Sequence, residues 1–416
     1  MTDSEAIFSG SLAGTDRLAR EPMILLFIGL FATAVGQAFV FAILPPLGRS
    51  VGMDEVHITA IISTSAAVFT LVAPIWGRFS DRVGRKPVII IGLMGYSIGS
   101  LSFAVLFGLA GAGTITGMAL FVTALILRSL QAATMSATHP GCTAYAVDHT
   151  VAQFRIRTLA RLSSANSIGM IMGPVLAGLV AGMGLLAPLV VASILCAAAA
   201  IIIALKLSSG VPPRAITTQP KKIGYLDARV RIYLLSAIGA FTGFAMVQQT
   251  LAFRLQDTLS LSGIETAQYT GLAMMASAGS TLTMQVFVAQ RFNGPPTQLV
   301  QWGAGILAGG TVAISLFDSW AAVVSSMVLI GAGLGLLMPA VSAGASIAVR
   351  PEEQGGVAGL ISACPAAGFV LGPITGGFLY QYGNTTAAWG AAIILVLVFL
   401  ATLSSKSEPT LPAPSA

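Results

Sequence analysis

The chain has 416 residues, 55% of them hydrophobic and only 9% charged, with a formal net charge of +6. A soluble domain carries about 25% charged residues, so this composition excludes one and describes an integral membrane protein. The positive balance would suit nucleic acid, but the cations are dispersed between apolar runs, and the surroundings they imply are a lipid bilayer and no nucleic acid.

A membrane span needs about 20 apolar residues. The apolar runs place spans at 23–44, 57–76, 88–109, 115–137, 160–183, 186–206, 231–253, 267–289, 298–317, 321–344, 356–380 and 386–403. The fold expected is therefore all-α, with twelve transmembrane helices in two six-helix halves. The longest polar interval, 207–230, contains Pro212, Pro213 and Pro220 and reads as a linker between residues 1–206 and residues 231–416. The first apolar run is too long for a signal segment and is read as a retained span. Of the 21 Lys and Arg, 18 fall in segments that alternate to one side; Arg49 and Arg254 are assigned to opposite-side loops, and Arg128 lies inside a span. By the positive-inside rule both termini are expected in the cytoplasm, with the chain multi-pass in the inner (cytoplasmic) membrane.

In chain order, the first informative stretch is Gly77 to Pro87, five charges in eleven residues between two apolar runs. It reads as a short cytoplasmic loop in which Gly77 and Gly84 permit reversal and Pro87 starts the next helix. Gly95-Tyr96-Ser97-Ile98-Gly99 matches a nucleophile elbow, but it lies in mid-span, without the strand-turn-helix context that chemistry needs. Arg128 follows. A central membrane Arg costs about 2.5–3.5 kcal/mol on insertion scales, so it must face the bundle interior or water. Gln131 shares its face, three residues on. Asp148 and Arg155 flank the entry to the fifth span. That span carries Gly169-x-x-x-Gly173-Pro174-x-x-Ala177-Gly178, a small-residue face on a proline-bent helix.

The halves read as repeats. A shift of 199 residues lays the span-five pattern on Gly368-x-x-x-Gly372-Pro373-x-x-Gly376-Gly377; a shift of 212 lays Gln37 on Gln249, Phe41 on Phe253 and Asp81 on Asn293. The 13 extra residues of the first half are assigned to Phe107–Ala119. Two such halves place a site at their interface, near the bilayer midplane. Cys142, Cys196 and Cys364 show no metal or disulfide spacing, and no phosphate-binding loop exists, so no cofactor, metal or enzymatic reaction is expected.

The loop Gly77, Asp81, Arg82, Gly84, Arg85 and Lys86 resembles the G-x-x-x-D-R-x-G-R-K signature of the major facilitator superfamily. Arg128 and Gln131 resemble the family's span-four R-x-x-Q-G motif, with Ala132 in place of the glycine. Gly169, Gly173, Pro174 and Gly178 resemble the antiporter motif of its exporters, and Gly368, Gly372, Pro373, Gly376 and Gly377 repeat it. Asp148 and Arg155 resemble an acidic-then-Arg inner gate that holds the cytoplasmic face shut against the cations of the 77–87 loop. The resemblance implies alternating access by rocking halves. It also implies a loop Asp81 that braces the amino end of span eleven, near Gly355-Gly356, in the outward-open state. Its pocket-lining spans nominate Gln37, Phe41, Arg128, Gln131, Gln248 and Gln249, with Met338 weaker.

The chain most resembles the twelve-span drug:proton antiporters. That implies a monomeric secondary transporter that exports a small organic molecule in exchange for protons. One departure matters. None of the 15 Asp and Glu sits in mid-span, so a permanently cationic substrate is disfavoured and the proton carrier is not obvious; Asp81, Asp148 and His139 are candidates. The alternatives are a dedicated exporter of a self-made metabolite such as a siderophore, and proton-linked uptake of an anionic nutrient.

Overall fold

The computed structural model describes residues 18, 20–208, 224, 227–292, 294–350 and 353–404. Among the described residues there is no strand, and twelve helices are long and apolar enough to cross a membrane. Spans one to six are Arg20–Ser50, Glu55–Val83, Arg85–Gly111, Gly117–Asp148, Ala152–Ala181 and Ala187–Lys206. Spans seven to twelve are Arg231–Leu259, Gly263–Arg291, Pro296–Leu316, Trp320–Ile347, Gln354–Tyr380 and Thr386–Ser404. A helix satisfies its own backbone inside lipid, which is why apolar runs of this length take no other form there. Most of the linker interval, and Asn293, lie outside the described residues.

Several helices outrun their apolar cores. The stretch 77–87, expected as a loop, is nearly all helical: span two runs to Val83, span three starts at Arg85, and Gly84 alone reverses the chain at φ 95°. Gly77 is an ordinary helical residue. Charged side chains are tolerated once a helix leaves the hydrocarbon, so charge marks the bilayer boundary rather than the helix end. For the same reason Arg49 and Arg254, expected in loops, lie within spans one and seven. The extra chain of the first half is also not a loop insertion. Only 112–116 separate spans three and four, whereas those spans have 27 and 32 residues against 21 and 28 in spans nine and ten.

Two spans are irregular. Span four breaks between Met135 and Thr138. Pro140 has no N–H to give the Ser136 carbonyl, which leaves the helical ladder one rung short at that point. Span eight passes into a π-turn at Met284–Val288 and a 3₁₀ turn at Ala289–Arg291.

Each half has its own apolar core, and the first core also takes in Phe253, Ala267, Tyr380 and Ala387 of the second half. Spans five and eleven are pressed onto spans one and seven through their glycines. A Cβ on Gly169 would fall 2.6 Å from Ala34, and one on Gly173 would overlap Ala38. On span eleven, a Cβ on Gly372 would fall 2.7 Å from Ala245. The repeat seen in the sequence is thus a repeat of helix-on-helix contacts. On the face rich in Arg and Lys, Arg229 bonds Asp227 at 2.8 Å and Glu353 at 2.9 Å, tying the end of the linker to the start of span eleven. The Arg229 hydrogen bonds hold the Asp227 carboxyl below the usual carboxylate range.

Gly173→Leu should destabilise the protein by about 1–3 kcal/mol, as overpacking does, and lower its melting temperature in detergent. Gly359→Ala, at a helical glycine with nothing within 4 Å, should leave the melting temperature unchanged or raise it.

Candidate functional site

Arg128 organises the middle of the first half. It is 1% exposed. Its Nη1 donates to Gln131 Oε1 at 2.5 Å and its Nη2 to Gln37 Oε1 at 2.8 Å. Gln131 in turn donates from Nε2 to Ser100 Oγ at 2.8 Å and to the Tyr96 carbonyl at 3.1 Å. Glycines make this reach possible. A Cβ on Gly99 would fall 2.5 Å from Gln131, and one on Gly95 would overlap Thr134, so spans three and four are in intimate contact. The apparent nucleophile elbow at 95–99 is therefore a packing surface. Gly36 of span one likewise leaves room for the Tyr96 ring, whose edge lies 2.6 Å from where a Cβ would sit. The Tyr96 hydroxyl and Arg128 Nε have no hydrogen-bond partner among the described residues.

No carboxylate contacts this guanidinium among the described residues. Its charge is spread over neutral amide oxygens instead. The family resemblance placed Arg128 on the cavity wall; here it is sealed in, and Gln37, partly exposed, is the member that meets open space. Gln248 and Gln249 are buried in span seven, and Gln248 Oε1 and both polar atoms of the Gln249 side chain lack partners. Phe41 crosses the divide between halves, its ring parallel within 3° to that of Phe369 at 5.6 Å. Sequence reasoning missed Tyr96 and Phe369, since an aromatic residue in an apolar run carries no periodic or charge signal.

The halves meet toward the face opposite the basic one. There Arg49 Nη1 bonds Asp257 at 2.6 Å, its Nη2 bonds Glu55 at 2.6 Å, and Tyr380 Oη donates to Asp257 at 2.6 Å. The Arg49 guanidinium also covers the Phe253 ring at 4.8 Å. Nearby, the Ile374 N–H donates to Ser63 Oγ at 2.9 Å, and a Cβ on Gly178 would fall 2.9 Å from Gln268. Neither Arg49 nor Asp257 was singled out in the sequence, because both read as loop charges. Arg254 lies close by in sequence, buried, paired with Asp318 at 2.8 Å.

On the basic face two small residues meet no neighbour. Gly77 of span two and Gly359 of span eleven each face open space. Asp81 bonds Arg85 and is 57% exposed in its side chain; it does not touch span eleven. The expected bracing contact is not made in this structure. Asp148 does pair with the 77–87 cations, accepting from Arg85 Nε at 2.8 Å. Arg155 bonds the Thr150 carbonyl at 3.2 Å rather than Asp148. These bonds both lie within the first half. Arg82 is exposed and Lys86 partly so. His139 is exposed at the broken part of span four. In the basic-face half of the second bundle, a cleft of about 360 Å³ lies between the irregular end of span eight and Pro339, lined by Gln285, Gln290, Met338 and Ser342.

Arg49→Gln should loosen the sealed face by about 1 kcal/mol, the scale of a partly exposed ion pair. A cysteine placed at Gln268 should then react about fivefold faster with a membrane-impermeant thiol reagent applied to that face. Equal rates would remove Arg49 from the seal.

Comparison with known proteins places this geometry. The family model described as Major Facilitator Superfamily matches residues 26–364 and 297–416. The chain is 26% identical to Multidrug resistance protein 1 of Bacillus subtilis (strain 168) over 402 residues, covering 94% of this chain and 98% of that protein. It is 25% identical to the class G tetracycline resistance protein of Vibrio anguillarum, covering 92% and 96%. Among solved structures, a bacterial homolog of the human lysosomal transporter Spinster, in an inward-facing and occupied conformation, superposes with a TM-score of 0.75 at 15% identity, covering 92% of this chain and 95% of that one. A nucleoside transporter superposes at 0.73 and 14% identity, covering 93% and 100%. With twelve spans in two matched halves, and a family match over nearly its whole length, the chain belongs to the major facilitator superfamily: it is a multi-pass membrane transporter of small molecules and not an enzyme.

Proposed function

We propose that this transporter exports a small organic molecule across the cytoplasmic membrane, in exchange for protons. The observation that carries this reading is the bent, glycine-faced span five seated along span one, in a chain similar over nearly its whole length to multidrug and tetracycline resistance proteins. In this reading the basic face is cytoplasmic, as the positive-inside rule requires. The state described is then sealed outside by Arg49, Asp257 and Tyr380 and open inside. Rocking the halves about the Arg128 level opens the other side. Asp81 then comes to the amino end of span eleven, where an anion is favoured.

The small residues that face nothing here, Gly77 and Gly359, become the inner seam. Proton entry in the outward state and release in the inward state biases the cycle toward export. The cargo is a drug or a self-made metabolite; both need the same machinery and differ in pocket shape. Uptake of an anionic nutrient is the second reading, favoured by Arg128, a central cation that bonds amides and no carboxylate among the described residues.

Everted membrane vesicles test both. Under an inward-acid gradient, the wild type should accumulate a labelled substrate, and collapsing the gradient should abolish accumulation. Asp81→Asn should reduce the initial rate at least tenfold with equal protein in the membrane; an unchanged rate would discard the bracing role. Movement of anionic solutes only in the opposite direction would establish uptake instead.

A further inference from the structure

Four phenylalanines gather between the halves at the level of Gln37. Phe369 of span eleven lies parallel to Phe41 of span one. Phe244 of span seven stands edge-on to Phe369 at 6.4 Å, and Phe241 lies tilted to it at 6.5 Å. Gly368 makes this approach possible: a Cβ there would run into the backbone of Phe241, 2.7 Å away, and of Thr242, 2.8 Å away. Phe41 is buried, whereas Phe241, Phe244 and Phe369 are each partly exposed. Phe369 touches both halves, so it stands where they meet and keeps part of its surface uncovered.

Gln37 stands one helical turn before Phe41, on the same face. Its Oε1 is taken by Arg128, and its Nε2 has no partner among the described residues. An amide whose oxygen accepts from a cation is a stronger donor at its nitrogen. A polarised N–H pair therefore stands beside a set of aromatic rings, with an uncompensated positive charge behind it and no carboxylate in reach. Ring faces alone would also attract a cation, but the Arg128 charge lies in the same low-dielectric space and opposes one.

We propose that this space binds a flat aromatic molecule bearing an acceptor oxygen, either a carboxylate, a phenolate or a carbonyl. Phe369 is the stacking platform and Gln37 the hydrogen-bond donor. The assignment rests on the transport reading for its purpose, but it concerns binding and is tested apart from transport.

The probe is 9-anthracenecarboxylate, followed by fluorescence anisotropy with the purified full chain in nanodiscs. Ethidium, an aromatic cation, and cyclohexanecarboxylate, a non-planar anion, serve as competitors. The probe should bind and neither competitor should displace it at hundredfold excess. Phe369→Leu and Gln37→Leu should each weaken binding about tenfold, Phe369→Tyr should retain it, and Phe378→Leu, on the exposed surface of the same span, should change nothing. Should Phe369→Leu fail to elute as a folded monodisperse species, Phe244→Leu carries the same expectation. No binding by the wild type, tighter binding of ethidium, or unchanged affinity in both the Phe369 and Phe244 variants would overturn the proposal. Vesicles that move a non-aromatic solute while the probe fails to bind would discard the aromatic site and leave export standing. Binding without transport of any solute would do the reverse.

Discussion

Everything in the first half is arranged around one cation that has no anion. Arg128 could have been neutralised by a carboxylate on a neighbouring span, at the cost of desolvating two charges. Instead, amide oxygens from spans one and four take two of its three nitrogens, and Gln131 hands the polarity on to span three. This requires three helices within hydrogen-bond reach of one point. The glycines at 36, 95 and 99 allow that approach, and each would clash if it carried a side chain. The packing of the half and the placing of its buried charge are one constraint seen from two sides.

Among the described residues the second half has no such buried charge at the equivalent position. Gln249, which the repeat aligns with Gln37, is buried with its amide unpartnered. Its glycines serve the contact between spans seven and eleven, and that contact delivers Phe369 to the centre. The two halves therefore share a helix arrangement and differ in what they present at the midplane: a polarised amide from one, aromatic surface from the other. An interface of that kind is what the proposed ligand, oily across its face and polar at one edge, requires.

Much of the fold was legible in the sequence because lipid is an unforgiving solvent. Twelve apolar runs gave twelve spans, and the fourfold spacing of glycines in spans five and eleven announced close packing. The pairing of Asp148 with the 77–87 cations was also foreseen. Helix ends were less legible, since Arg49, Arg82 and Arg254 look like loop residues in a linear text yet extend helices past the hydrocarbon. The seal between halves was invisible for a different reason. Arg49 and Asp257 are 208 positions apart, and nothing local in either neighbourhood hints at the other. The same holds for Phe41 and Phe369, which meet only after both halves have folded.

The guanidinium of Arg49 has a spare partner. It is held by Asp257 from the far half and by Glu55 from its own, while Asp257 is held independently by Tyr380 of its own half. Parting the halves consequently divorces one pair without leaving either charge alone: the arginine departs with its neighbouring glutamate, the aspartate with its phenol. At this ion pair, parting the halves would cost the separation of two partners and avoid the much larger penalty of a naked ion.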